Sequence, residues 1–292
     1  MPSKADLSGT TLPRRQLGRA LRDARHALGS TLDQVARETE FSRATLSRIE
    51  LGQYEKIKVR EVEYLCRYYC LAQERTEYLM RVAAESNTKV WWQNYRHFLH
   101  EGFSSYLELE SYATEFRFFQ PLLTPGLLQT PDYAKAIYRA SAPDAPESEV
   151  GQWVEMRIQR RARLVQRRWK VDLEFLLHEG ALHTVVGSNR IMAAQCRHMA
   201  DTSTHENIVV RIVPFSAGLP TGHVIPPFIV LDFPDSEPSV VHTEGAIGSM
   251  TFEDNDDVER FRTLYDTLRS AALDEVSSRD RIRKIARRYE QS

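Results

Sequence analysis

A chain of 292 residues has room for two domains at roughly 100–200 residues each, and a hydrophobic content of 42% with 12 Phe is enough for a buried core. A charged content of 27% is ordinary for a globular protein, no run of 18 apolar residues offers a transmembrane helix, and the polar stretch Met1–Pro13 lacks the apolar segment of a secretory signal. The 3 cysteines exclude a disulfide framework and point to a reducing, cytoplasmic setting, while the net charge of −1 divides into +5 over residues 13–60 and −6 over the rest. A basic head on an acidic body fits a polyanion-binding module joined to a unit without that role, although solvated faces vary this much as well.

In chain order, Leu17, Ala20, Leu21, Ala24 and Leu28 recur at helical spacing and predict a first helix over Arg15–Ala27, ended by Gly29. Thr31 is a good N-cap for a second helix, with Asp33 at its positive end and Leu32, Val35 and Ala36 facing inward. The small Ala36 permits a close, steep helix crossing. Glu40-Phe41 forms a turn, Ser42 caps a third helix anchored by Leu46 and Ile49, and Gly52 stops it. Val62, Leu65, Tyr69 and Leu71 mark a fourth helix, and Tyr78, Leu79 and Val82 a fifth.

Helix pairs joined by a polar turn also occur in small bundles that touch no DNA. Here the cap, the small residue, the turn and the apolar pair stand together, and the ending "LSRIELG" follows. Over about residues 15–72 the stretch resembles the phage-repressor-like Xre family of helix-turn-helix domains. The resemblance implies that the third helix enters the major groove. Arg43, Ala44, Thr45 and Arg48 then face base edges, each Arg presenting a fork to guanine and Ala44 meeting a thymine methyl. Ser42, Ser47, Lys56 and Lys58 fall at positions suited to phosphates, which position rather than specify. Many members hold a phosphate with a glutamine at the start of the second helix. This chain has Leu32 there, so that contact is lost or passes to the Thr31 backbone. The family role of Glu50 is structural.

After a linker at Ala84–Lys89 the aromatic run "VWWQNYRHF" begins at Val90. The spacing of Leu107, Leu109, Tyr112, Ala113, Phe116 and Phe119 predicts one helix closed by Pro121, and Thr130-Pro131 a cap and first turn of another. "ESEVGQWVEMRIQRRARLVQRR" is a long charged helix. "VDLEFLLHE", "IVVRIVPF", "FIVLDFP" and "SVVHTEG" are strand-like, with a helix over Asn189–Ala200 and a final helical pair at Asp254–Leu273 and Arg279–Tyr289. "TPGLLQTPDYA", "HEGALH", "VPFSAG", "LDFP" and "VHTEG", in this order, resemble the C-terminal domain of actinomycete Xre regulators of the WhiJ-like group. That likeness implies a sensory or interaction domain and a small companion protein. The group's usual Arg-Gln pair in the long helix reads Arg160-Arg161 here, so the partner differs if that Gln binds it.

Catalytic readings of His178-Glu179 and His242-Thr243-Glu244 compete with the plain one that polar residues appear where a strand leaves the core. Cys66 and Cys70 share a helix at i, i+4 without further ligands nearby, and read as small buried hydrophobes rather than a metal pair. The run Arg157–Lys170 holds seven Lys/Arg and no acid, which suits a solvated face or a partner for the acidic body. Trp91, Trp92, Tyr95 and Phe98 pin the domains together or roof a ligand pocket.

The sequence therefore predicts an α+β protein. Residues 1–88 form an all-α five-helix DNA-binding domain, and residues 89–292 a mixed α/β regulatory domain. The expected function is transcription regulation in the cytoplasm, at the nucleoid, by a homodimer on a double-stranded DNA operator, with no catalytic residues, metal, cofactor or membrane. Trp91, Trp92, Tyr95, Arg157 and Arg160 are the candidates for contact with a small-molecule effector or a companion protein. The rival expectation is an antitoxin-like protein that neutralises its small companion and regulates its own synthesis.

Overall fold

The computed structural model describes residues 12–54, 56–86, 91–92, 95, 99, 102–165, 171–233, 238–245 and 248–291. The chain forms two compact units, Met1–Gln93 and Asn94–Ser292.

The first unit is helical: α1 (Leu12–Ala27), α2 (Leu32–Glu38), α3 (Arg43–Glu50), α4 (Val59–Tyr68) and α5 (Gln73–Ser86). Leu17, Leu21, Val35, Leu46, Ile49, Val62, Leu65 and Leu79 make its core, with Ala36 and Phe41 packed against it. Gly29 and Gly52 end α1 and α3 with φ of 69° and 70°, a left-handed conformation that glycine adopts without steric cost. Two boundaries differ from expectation. Leu71 lies beyond α4, which ends where Cys70 turns to φ 55°. Ala84–Ser86 form the last turn of α5 rather than a linker, and 87–89 lie outside the described residues. Cys66 is fully buried, its thiol pushed up to about 11 by burial, but Cys70 is exposed, so the expectation of two buried cysteines holds for Cys66 alone.

The second unit contains a six-stranded sheet in the order β3-β2-β1-β4-β5-β6. Its elements are α6 (Phe103–Tyr112), β1 (Glu115–Gln120), α7 (Pro131–Ser141), α8 (Glu147–Val165), β2 (Asp172–His178), α9 (Gly180–His183), α10 (Asn189–Thr202), β3 (Ile208–Val213), β4 (Phe228–Asp232), β5 (Val240–Gly245), β6 (Gly248–Phe252), α11 (Asn255–Ser270) and α12 (Glu275–Gln291). β1, β2 and β3 run parallel, while β4, β5 and β6 pair antiparallel. Thr130 caps α7 as expected, its hydroxyl accepting from Tyr133 N.

One predicted helix is two elements. The spacing from Leu107 to Phe119 is broken at Ala113, and Glu115–Gln120 becomes the central strand β1 between β2 and β4. A strand covered on both faces carries apolar side chains on both, so "FRFF" loses the alternation that would distinguish it from a helix. Phe118 stacks on Phe175 at 4.6 Å on one face. Phe119 joins Leu176, Phe228, Val230 and Val241 on the other, under Val258, Tyr265 and Leu268 of α11. The edge strand β3 is closed by the start of α12 and the residues just ahead of it: Ile212 N donates to Ser278 Oγ at 3.0 Å and Leu273 N to Ile212 O at 2.9 Å.

Candidate nucleic-acid interface

The helix pair α2–α3 is held by its caps. Thr31 Oγ1 accepts from Gln34 N at 3.2 Å, and Gln34 Oε1 in return accepts from Thr31 N at 2.7 Å. This reciprocal box was legible as Thr-x-x-Gln, a signal the cap reading of Thr31 alone passes over. Ser42 Oγ accepts from Thr45 N at 3.0 Å, so Ser42 and Thr45 shape the start of α3. At about 100° per residue, Leu46, Ile49 and Glu50 share the inward face, and all three are buried. Ala44, Ser47 and Arg48 point the opposite way, Ala44 and Arg48 exposed and Ser47 half-buried.

Arg43, in the first turn, lies on the side of Leu46 and Glu50 rather than with Ala44 and Arg48, and pairs with Asp33 of α2, Nε to Oδ1 3.2 Å. Both side chains are about two-thirds exposed, so the pair is weak and exchangeable. The Arg48 guanidinium lies 5.9 Å from the Tyr54 ring centre. Lys56 and Lys58 are exposed on the segment leading to α4, where Lys58 also meets Glu61 at 3.5 Å.

Behind α3, Glu50 does not face outward. Its carboxylate takes two bonds from Arg25, Nε at 2.6 Å and Nη2 at 2.8 Å, and Arg25 Nη1 donates to Ser30 O at 2.8 Å. The hydrogen bonds that Arg25 donates to Glu50 hold its guanidinium above the ordinary range. Gly18 is the residue that sequence reasoning missed here. A Cβ on it would meet the carbonyl oxygens of Ile49 and Glu50, so α1 crosses the end of α3 backbone to backbone.

The candidates of the second unit separate. Trp91 and Trp92 stack edge to face at 5.7 Å in the first unit, and Tyr95 is half-buried, its phenol pushed up first by burial and then by Glu155. Phe98 lies outside the described residues. Arg160 is buried and spent within the protein. Its Nε and Nη2 bind Glu110, and Nη2 reaches Tyr106 Oη at 3.0 Å. Arg157 lies beside it over Trp153, 4.5 Å from the ring centre. Of the basic run, 166–170 lie outside the described residues.

In the histidine-acid pairs Glu179 and His242 are buried, while His178 is half-buried and Glu244 exposed. Glu179 accepts from Phe215 N at 3.0 Å and from Arg281 Nη1 at 2.7 Å, and His178 Nδ1 accepts from Gly180 N at 3.1 Å. His242 is fully buried, tilted against the Tyr106 ring with centres 4.5 Å apart, and burial, with Arg160 nearby, pulls it down to about 4. Among the described residues no group of three or more His, Cys, Asp or Glu is placed to hold a metal ion, and no helix is long and apolar enough to cross a membrane.

Residues 16–79 match the family model described as a helix-turn-helix domain. Residues 103–284 match the one described as a domain of unknown function, DUF5753. No curated protein and no solved structure matches the chain.

Proposed function

The chain belongs to the DUF5753 family, and from that membership, with a helix-turn-helix domain ahead of it, we propose a sequence-specific DNA-binding transcription regulator of the Xre type, from the WhiJ-like actinomycete group. It works in the cytoplasm, at the nucleoid, as a homodimer on a double-stranded operator. Its second unit senses a small-molecule effector or a companion protein and is not an enzyme.

The observation that supports the reading is the outward face of α3. Ala44 and Arg48 stand exposed on a helix whose opposite face is buried and whose N-terminus is capped, which is how a recognition helix is presented to a major groove. Arg43 and Arg48 read guanine, Ala44 and Thr45 complete the base-facing set, and Thr31, Ser42, Ser47, Lys56 and Lys58 hold phosphates. Selecting bound sequences from random DNA with the full-length protein tests this. Arg43→Ala and Arg48→Ala are each expected to lose about 1–3 kcal/mol of preference for the selected site over random DNA. If both variants keep the wild-type ratio, α3 is not the reader.

A further inference from the structure

A cavity of about 220 Å³ lies between the start of α7 and the middle of α8. Its lining brings two guanidinium groups, Arg157 and Arg161, together with the apolar side chains of Ala134, Val154 and Ile158, and among the described residues that line it there is no carboxylate. Drug-sized ligands occupy roughly 300–1,000 Å³, so the occupant of this space is a compact molecule.

Arg157 is the informative residue. Its Nε is sealed from solvent and has no hydrogen-bond partner among the described residues. The rings of Trp153 at 4.5 Å and Phe103 at 6.0 Å offer it π faces, which attract a cation but satisfy none of the in-plane N–H donors. The nearby Glu110 is already taken by Arg160. Burial and then Arg160 pull Arg157 down to about 10, so this environment works against the charge it holds. Buried donors are normally satisfied, and Nε is not; being sealed it does not itself face the cavity, and a ligand there meets the part of the Arg157 side chain that lines it, on the side where Nη1 lies against Gly126. Gly126 makes the space for this arrangement, since a Cβ there would strike Arg157 Nη1. Arg161, beside it, is steadied by donating from Nη1 to His198 Nε2 at 2.6 Å.

We propose that this cavity binds a small organic monocarboxylate, with its carboxylate on Arg157 and Arg161 and its hydrocarbon part against Ala134, Val154 and Ile158. The two forks match a carboxylate in charge and planarity, and the apolar walls would leave a bare inorganic anion without contacts on that side. The ligand becomes a regulatory effector only on the reading of the second unit as the sensor.

The test is calorimetric titration of the full-length protein, without DNA and at fixed chloride, with benzoate and with hexanoate. Benzamide and inorganic phosphate are the comparisons. Saturable binding of a carboxylate at one site per chain is expected, at least tenfold tighter than benzamide. Arg157→Gln is expected to weaken it at least tenfold, while the Tm of the unliganded protein stays level or rises because an unsatisfied buried charge is gone. Gly126→Ala, which displaces the guanidinium, is expected to weaken it as well. The proposal is overturned if neither carboxylate binds tighter than benzamide, or if phosphate binds tighter than both. It is equally overturned if Arg157→Gln lowers Tm and leaves benzoate affinity unchanged. The titration contains no DNA, so its failure is distinct from failure of the operator selection.

Discussion

Glu50 ends the exposed helix yet is turned wholly inward, where a single buried ion pair joins α3 to α1. Removing one partner leaves the other charged and dry, which costs about 3–5 kcal/mol. Glu50→Ala is therefore expected to collapse hydrogen-exchange protection throughout α1–α3, and unchanged protection would show the pair to be dispensable. Gly18→Ala presses a methyl onto fixed backbone oxygens of α3, the Glu50 one at 2.7 Å. A destabilisation of about 1–3 kcal/mol is expected by denaturant unfolding of the first unit. In the second unit His242 is buried neutral against Tyr106, with Thr251, Arg160 and Glu244 around it. Its folded value of about 4 lies below the ordinary 6.5. The unfolded chain therefore takes up the proton first as pH falls. The stability His242 contributes is complete above about 6.5 and is lost between there and about 4, by at most about 3 kcal/mol at roughly 1.4 kcal/mol per pH unit. Urea midpoints measured from pH 7 to 4 are expected to fall, and to fall less in His242→Phe. Identical slopes for the two proteins would sink this.

At the scale of elements, the caps of α2 and α3 and the segment after α3 divide the labour of binding. Thr31 and Ser42 spend their hydroxyls on helix ends, so phosphate contacts depend more heavily on the exposed Lys56 and Lys58. Lys56→Ala and Lys58→Ala are each expected to weaken selected and random DNA alike and to reduce the slope of log affinity against log salt by about 1. A change confined to the selected sequence would make them base readers instead. In the second unit, the long helix α8 is set by Arg160, whose bonds to Glu110 and Tyr106 tie it to α6. Burial opposes the Arg160 charge, and Glu110 with Tyr106 outweighs it, holding the guanidinium above its ordinary range. One turn earlier, Arg157 Nε has no hydrogen-bond partner among the described residues. The same helix thus carries one arginine that fastens the fold and one left for a visitor.

At the scale of the whole molecule, each unit has its own core, so the two can be tested apart. On the proposed function the second unit supplies dimerisation and response, and the first supplies sequence choice. A protein ending at residue 93 is expected to select the same sequence, to bind it more weakly, and to be a monomer by light scattering, while the full chain is a dimer spanning half-sites roughly 34 Å apart. A full-length monomer whose footprint covers one half-site would contradict this. Effector coupling is typically worth about 1–3 kcal/mol of DNA affinity, a shift that quantitative gel mobility resolves.

Much of this was legible along the chain because it rests on local rules. Caps at Thr31, Ser42 and Thr130, glycine stops at 29 and 52, and the apolar spacing of Leu17, Leu21, Leu46 and Ile49 are set by residues a few positions apart. The four β-rich runs announce β2, β3, β4 and β5 for the same reason. Distant pairing decided the rest. β1 is a strand because β2 and β4 flank it 57 and 117 residues onward, in the pairs Glu115–Asp172 and Glu115–Asp232, where its phenylalanines find cover on both faces. Glu50 turns inward because Arg25 waits there, and Gly18 is required because α1 crosses α3 at that point. Arg157 and Arg160 are three residues apart and alike in sequence. Only the fold places Glu110 against one and an empty-handed cavity wall against the other, since which side chain meets a given charge is settled by packing between elements and not by neighbours in the chain.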